Sequence, residues 1–286
     1  MSAVTITYIF KTIFGYGFMV RAMIVGVLIS ICAALLGVSL VLRRCSMIGD
    51  GLSHVGFGAL AVAAAMGAAQ LWVALPVVII VAFLIIKLND NSRLSSDSAI
   101  ALISSGALAL GVMIVSLSGA NTNLNDFLFG SIFALSDADS ILSIILSATV
   151  LVLFVLFYNK IFAVTFDAGF ARATGTSAGF YNTFVALLTA VTVVVGMRLV
   201  GALLVTSLII FPPLTAMRVC KKFRSVVITS GVLSAFSVII GMMISVGVPS
   251  APVGASIVLV NVVFFLVFLV IGKVRASRVG KKVSGN

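Results

Sequence analysis

Glutamate is missing from the 286 residues, so all seven acidic side chains are aspartates, and histidine occurs once, as His54. Charged residues make up 9% of the chain against 62% hydrophobic. A water-soluble domain of this size coats itself in polar side chains, and there are too few here to do so. Without glutamate no His-Glu-x-x-His motif is possible, which excludes that route to zinc proteolysis. An aspartyl membrane protease needs two acids inside apolar spans, and only Asp50 lies in one. Ser53 adjoins His54 in sequence and so points to a different side of a helix, which argues against a serine–histidine protease. No Gly-x-x-x-x-Gly-Lys-Ser/Thr is present, so this chain does not bind ATP through a P-loop. The three cysteines, Cys32, Cys45 and Cys220, are far apart and form no Cys-x-x-Cys pair. They make neither a metal knuckle nor a disulfide framework and read as small apolar fillers.

What is present is long apolar sequence. The runs repeatedly reach the ~20 residues a helix needs to cross ~30 Å of hydrocarbon. They do not alternate in polarity as the strands of a membrane barrel would. A helix also closes its own backbone hydrogen bonds, as lipid requires. The fold class expected is therefore an all-α integral membrane protein, a polytopic bundle of eight to nine transmembrane helices. Nine candidate spans fall near 19–42, 48–67, 71–88, 97–118, 138–158, 178–197, 199–218, 225–247 and 252–272. The first lacks the flanks of a cleavable signal and is read as retained. The seventh is suspect, because Pro212 and Pro213 remove two backbone donors and are expected to break the helix there. No repeat of 20–50 residues is seen.

The net charge of +11 does not point to nucleic acid, because the basic residues lie between apolar runs or at the C-terminus. With nine spans, one side holds Arg43, Arg44, Lys87, Arg93, Lys160, Arg172, Arg218, Lys221, Lys222, Arg224, Lys273, Arg275, Arg278, Lys281 and Lys282. The other side keeps Lys11, Arg21 and Arg198. The excess of lysine and arginine marks the cytoplasmic side, so the N-terminus is expected outside and the C-terminus inside. Three regions follow: residues 1–18 as an external interfacial segment rich in aromatics, 19–272 as the transmembrane domain, and 273–286 as a basic cytoplasmic tail able to meet anionic lipid. The longest outer loop is 119–137.

Asp50 and His54 share the second span. A spacing of four places both on one helix face, about 6 Å apart. With Arg44 at the inner interface, Asp50 lies about 9 Å and His54 about 15 Å into the bilayer. Ionisable groups at such depth face a cavity or a partner. Carboxylate oxygen with imidazole nitrogen suits zinc, manganese or iron. Two such pairs from a dimer would supply four ligands, whereas one pair is too few. A proton relay, or a structural role in which Asp50 caps the span and His54 bonds a neighbouring helix, uses the same residues. The surrounding Gly49, Gly51, Gly56 and Gly58 allow close helix approach or an irregular backbone.

The stretch Arg43-Arg44 with Ser46-Met47-Ile48-Gly49-Asp50-Gly51-Leu52-Ser53-His54 resembles the signature of the manganese/zinc/iron-type ABC importer permeases. That family reads Gly-Asp-Ala-hydrophobic-Ser-His here, so Gly51 stands for its alanine, and Gly56-Phe57-Gly58 stands for its Leu-Pro-Gly. Phe129-Gly130-Ser131 resembles the family's outer segment. Asp167, Ala171 and Gly175 resemble its cytoplasmic Asp-x-x-x-Ala-x-x-x-Gly pattern. Gly201, Leu203, Leu204, Pro212, Thr215 and Ala216 resemble a later span. The resemblance implies a type II ABC importer-like homodimer with two separate ATPase subunits below and an extracytoplasmic metal-binding receptor outside. It implies that Asp50 and His54 line an ion path and that Asp167–Gly175 couples to the ATPases. Gly49, Ser53, Pro212 and Pro213 are placed on the pathway helices. No resident cofactor is expected, the transported divalent ion being cargo. The alternatives are a permease for a metal chelate, a proton-coupled secondary transporter, and a structural membrane protein.

Overall fold

The computed structural model describes residues 15–68, 70–91, 96–118, 130, 137–248 and 251–283. Their elements are helical: α1 Gly17–Leu42, α2 Ile48–Ala65, α3 Gln70–Asn91, α4 Ser96–Ser118, α5 Asp137–Leu156, α6 Tyr158–Phe166, α7 Ala168–Ala173, α8 Ala178–Val200, α9 Ala202–Met217, α10 Phe223–Gly247 and α11 Val253–Val283. Seven of these helices are long and apolar enough to cross a membrane, and Trp72–Lys87 of α3 and Ala202–Met217 are shorter apolar helices. They follow the order of the nine expected spans. The expected fifth span stops earlier than its sequence suggests, because the chain turns at Phe157 and Tyr158 opens a separate helix. The last helix runs on without a break to Val283. Most of the 1–18 segment and of the 119–137 loop lies outside the described residues.

Burial orders the bundle. The apolar window of α1 is 72% buried and that of α4 only 11%, so α1 is central and α4 peripheral. α1 packs against α5, α8, α9 and α10, while α2 packs against α3, α4, α8 and α9. In lipid the glue between helices is close packing of small residues and hydrogen bonds between polar ones. Both occur here. Ser234 Oγ donates to the Ser30 carbonyl at 2.8 Å, and Ser237 Oγ donates to Asn261 Oδ1 at 2.9 Å. A Cβ at Gly241 would lie 2.7 Å from the Ile257 Cα, so α10 and α11 touch backbone to backbone.

The expected break at Pro212-Pro213 is not there. α9 is continuous from Ala202 to Met217 with both prolines inside and buried. The break lies one residue before α9, at Gly201, whose φ of 89° is open to glycine and strained for other residues. The prolines instead remove the N–H partners of the Leu208 and Ile209 carbonyls four residues back. Neighbouring helices can satisfy such freed groups, and the Ile209 oxygen points at Gly37 of α1, where a Cβ would stand 2.1 Å away. Outside the helices, Gly130 seats on the Val200–Gly201 joint, with room for no side chain. Arg21 and Asp137 pair at the same end of the bundle, tying α1 to α5.

Candidate functional site

α2 is a regular helix, so its glycines serve close approach rather than an irregular backbone. A Cβ at Gly58 would lie 2.8 Å from the Ala107 carbonyl oxygen of α4. Gly49 leaves space filled by the Ile209 side chain of α9, whose Cδ1 would be 2.6 Å from such a Cβ. The helix that carries the acid is thereby clamped between α4 and α9.

Asp50 sits in the first turn of α2, where the partial positive charge of the helix N-terminus favours a carboxylate. It does not cap the helix: the cap position is Met47, which makes no side-chain cap. The carboxylate turns sideways along the helix face. Its Oδ2 lies 3.6 Å from His54 Nε2, and its Oδ1 accepts a hydrogen bond from Thr206 Oγ1 of α9 at 3.5 Å. The single Thr206 hydroxyl proton is shared between that carboxylate and the Ala202 carbonyl at 3.1 Å. The Asp50 side chain is 42% and that of His54 26% exposed, high values for ionisable groups on an apolar helix. His54 Nδ1 is buried and has no hydrogen-bond partner among the described residues. Two bonds of about 2.1 Å meeting at a tetrahedral angle hold their donor atoms about 3.4 Å apart. The observed 3.6 Å between Oδ2 and Nε2 therefore suits one small cation held by both. Among the described residues no group of three or more His, Cys, Asp or Glu side chains is placed to hold a metal ion.

Other residues singled out in the sequence lie elsewhere. Ser53 is buried and donates to the Gly49 carbonyl of its own helix at 2.9 Å, away from the Asp50–His54 face. Pro212 and Pro213 are buried inside α9. Thr206 was not singled out, because hydroxyls are frequent along these spans and nothing in the local pattern distinguishes this one.

The segment Asp167–Gly175 forms a compact unit between α6 and α8. Asp167 Oδ1 accepts from the Phe170 N–H at 2.9 Å and caps α7. Ala171 is fully buried in a small cluster with Val164 and Ala178. Gly175 adopts φ 80°, with its N–H on the Arg172 carbonyl and the Thr176 N–H on the Ala171 carbonyl. That pair of bonds is a Schellman close, which selects glycine. Asp, Ala and Gly at intervals of four thus serve as cap, buried contact and terminator. Phe166 and Phe170 are left exposed beside Arg172.

The chain is a polytopic helical bundle that carries a carboxylate–imidazole pair on a glycine-packed helix. The family model described as "ABC 3 transport family" matches residues 15–272, and the chain belongs to that family. It is a membrane subunit of an ABC transport system, distinct from the ATPase, which sets aside a proton-coupled secondary transporter. "Manganese transport system membrane protein MntC" of Listeria innocua is 30% identical over 254 residues, covering 89% of this chain and 91% of that protein. A "Probable iron transport system membrane protein" of Haemophilus influenzae is 31% identical over 256 residues, covering 90% and 91%. The solved structure titled "PsaBC from Streptococcus pneumoniae in complex with Fab" matches with a TM-score of 0.82 at 28% identity, covering 92% of this chain and 95% of that one.

Proposed function

We propose that the chain is the permease of an ATP-driven importer of divalent transition-metal ions, with Asp50 and His54 as the transient ligands of the cargo. The observation that carries this reading is the 3.6 Å separation of Asp50 Oδ2 and His54 Nε2 on one face of a membrane helix. Manganese and iron are the metals for which the similar transport proteins are named, and the donor set also accepts zinc. Two donors from one chain leave an ion undercoordinated, and both side chains are partly exposed. A second copy facing the first would cover them and bring a second pair. Release requires a modest site, which two pairs of mixed oxygen and nitrogen ligands supply.

The basic residues orient the chain with its N-terminus outside and the α6–α7 end in the cytoplasm. There the segment Asp167–Gly175, with Phe166 and Phe170 exposed, is the surface that two ATPase subunits would grip. A metal-binding receptor would deliver the ion at the Gly130–Gly201 end. ATP-driven movement of α7 would pass through α8 to α9, whose Thr206 touches Asp50, and alternating access would follow. No resident cofactor takes part.

The test is cellular metal content by mass spectrometry, in cells lacking their own high-affinity importers and supplied with this permease, its ATPase and its receptor. One metal should rise with the intact protein and stay at background with Asp50→Ala or His54→Ala at equal membrane expression. Accumulation undiminished by both substitutions would remove the pair from the path.

A further inference from the structure

A groove of about 560 Å³ runs along the outside of the bundle where α5 and α10 diverge over α1. Its floor is made by Ile31 and Leu35 of α1 with Gly231 of α10, and its rims by Val155, Ile228 and Val232. The rims are open, Ile228 being 56% exposed. A Cβ at Gly231 would meet Ile31 and Leu35 only at 3.9 Å, so the absent side chain is what deepens the floor.

One end of the groove is polar. Tyr158 and Asn159 line it, and Arg224 stands exposed one helical turn before Ile228 on the same face of α10. Arg224 acts on the Tyr158 phenol: burial pushes that group up and the guanidinium charge offsets part of the push. Lys221 and Lys222 are exposed just beyond. The groove follows α10 from Val227 to Ala235, and from Arg224, just beyond its polar end, to Ala235 is about 16 Å at 1.5 Å per residue. That is the depth of one leaflet, half of the ~30 Å hydrocarbon core.

We infer that this groove is a binding site for one anionic phospholipid, an acyl chain lying over Gly231 and the phosphate meeting Arg224, Tyr158 and Asn159. Charge selects the occupant. A neutral apolar partner would gain nothing from a guanidinium, whereas a lipid phosphate at the basic end of the bundle meets a cation at its own depth. A second copy is disfavoured by position. The Asp50–His54 helix α2 packs among α3, α4, α8 and α9, while α1, α5 and α10 build the groove. Copies that share the metal pair would meet on the α2 side. The exclusion of a second copy rests on the shared metal pair proposed above, and the test does not depend on metal transport.

The experiment uses the full-length permease with its ATPase, reconstituted in vesicles of phosphatidylcholine and phosphatidylglycerol and then released into detergent. Retained lipid is counted by native mass spectrometry. The intact protein should keep phosphatidylglycerol. Arg224→Gln should lower its retention about fivefold, the effect of one basic residue at a lipid surface, and leave phosphatidylcholine unchanged. Gly231→Leu, which fills the floor, should lose both lipids. Lys273→Gln, exposed on α11 and away from the groove, should change neither. Equal losses in Arg224→Gln and Lys273→Gln would overturn the site in favour of diffuse surface charge. Crosslinking of two copies through Val232→Cys would overturn it in favour of a protein interface.

Discussion

Gly37 of α1 and the carbonyl of Ile209 in α9 meet so closely that a Cβ at Gly37 would stand 2.1 Å from the oxygen. Pro213, four residues on, has no N–H to occupy that carbonyl, so the oxygen turns toward α1 and only a glycine can receive it. Gly37→Ala must push α1 and α9 apart. The expected cost is about 1–3 kcal/mol, the usual range for overpacking, read as a lower thermal unfolding midpoint of the detergent-purified protein. Gly231→Ala is the control, since its added Cβ finds ordinary contacts at 3.9 Å.

Thr206 ties the carboxylate of Asp50 to α9. Thr206→Val keeps the shape and removes the donor. Metal uptake is expected to fall about threefold to tenfold, since a hydrogen bond to a charged group contributes up to about 1.5–3 kcal/mol and this one is long. Thr206→Ser should retain most of the activity. A purely structural threonine would instead lower stability in both variants and leave their concentration dependence for metal unchanged.

Acid should inhibit uptake. Neutral imidazole ligates a metal and imidazolium does not, so protons compete with the cargo for a histidine ligand. The imidazolium would also pair with Asp50 across the same 3.6 Å and occupy the carboxylate. Uptake into vesicles containing the permease and ATPase, measured at fixed free metal, should fall as the medium is acidified. A flat profile with intact ATP hydrolysis would show that His54 does not ligate.

Asp167 closes α7 through the Phe170 N–H. Asp167→Ala removes the cap, at a cost of about 1 kcal/mol to a helix of a single turn or so. Metal transport should fall while the purified ATPase keeps its own hydrolysis rate, because the loss lies in coupling. Asp167→Asn and Asp167→Ser, both good caps, should restore transport. If they do not, the charge of Asp167 matters beyond capping.

Much of this protein is legible along the chain because lipid imposes a one-dimensional rule. Each crossing must satisfy its own backbone with a long apolar helix, so the order of the helices follows from apolar runs and their basic flanks. The same logic exposes Asp50 and His54, since an ionisable pair four residues apart in such a run stands out without any fold. The Asp167–Gly175 pattern is local too, its cap and terminator closing within ten residues. The prolines show where local reasoning stops. Whether Pro212 and Pro213 break a helix depends on what lies beside the freed carbonyls, and beside that of Ile209 it is Gly37, remote in sequence. Thr206 joins Asp50 across a separation of 156 residues. The sequence alone thus determined which segments cross the membrane and which side chains are costly there. The tertiary structure decided what each costly group meets, because hydrogen bonds and close contacts between helices depend on rotation and depth, which no single helix specifies.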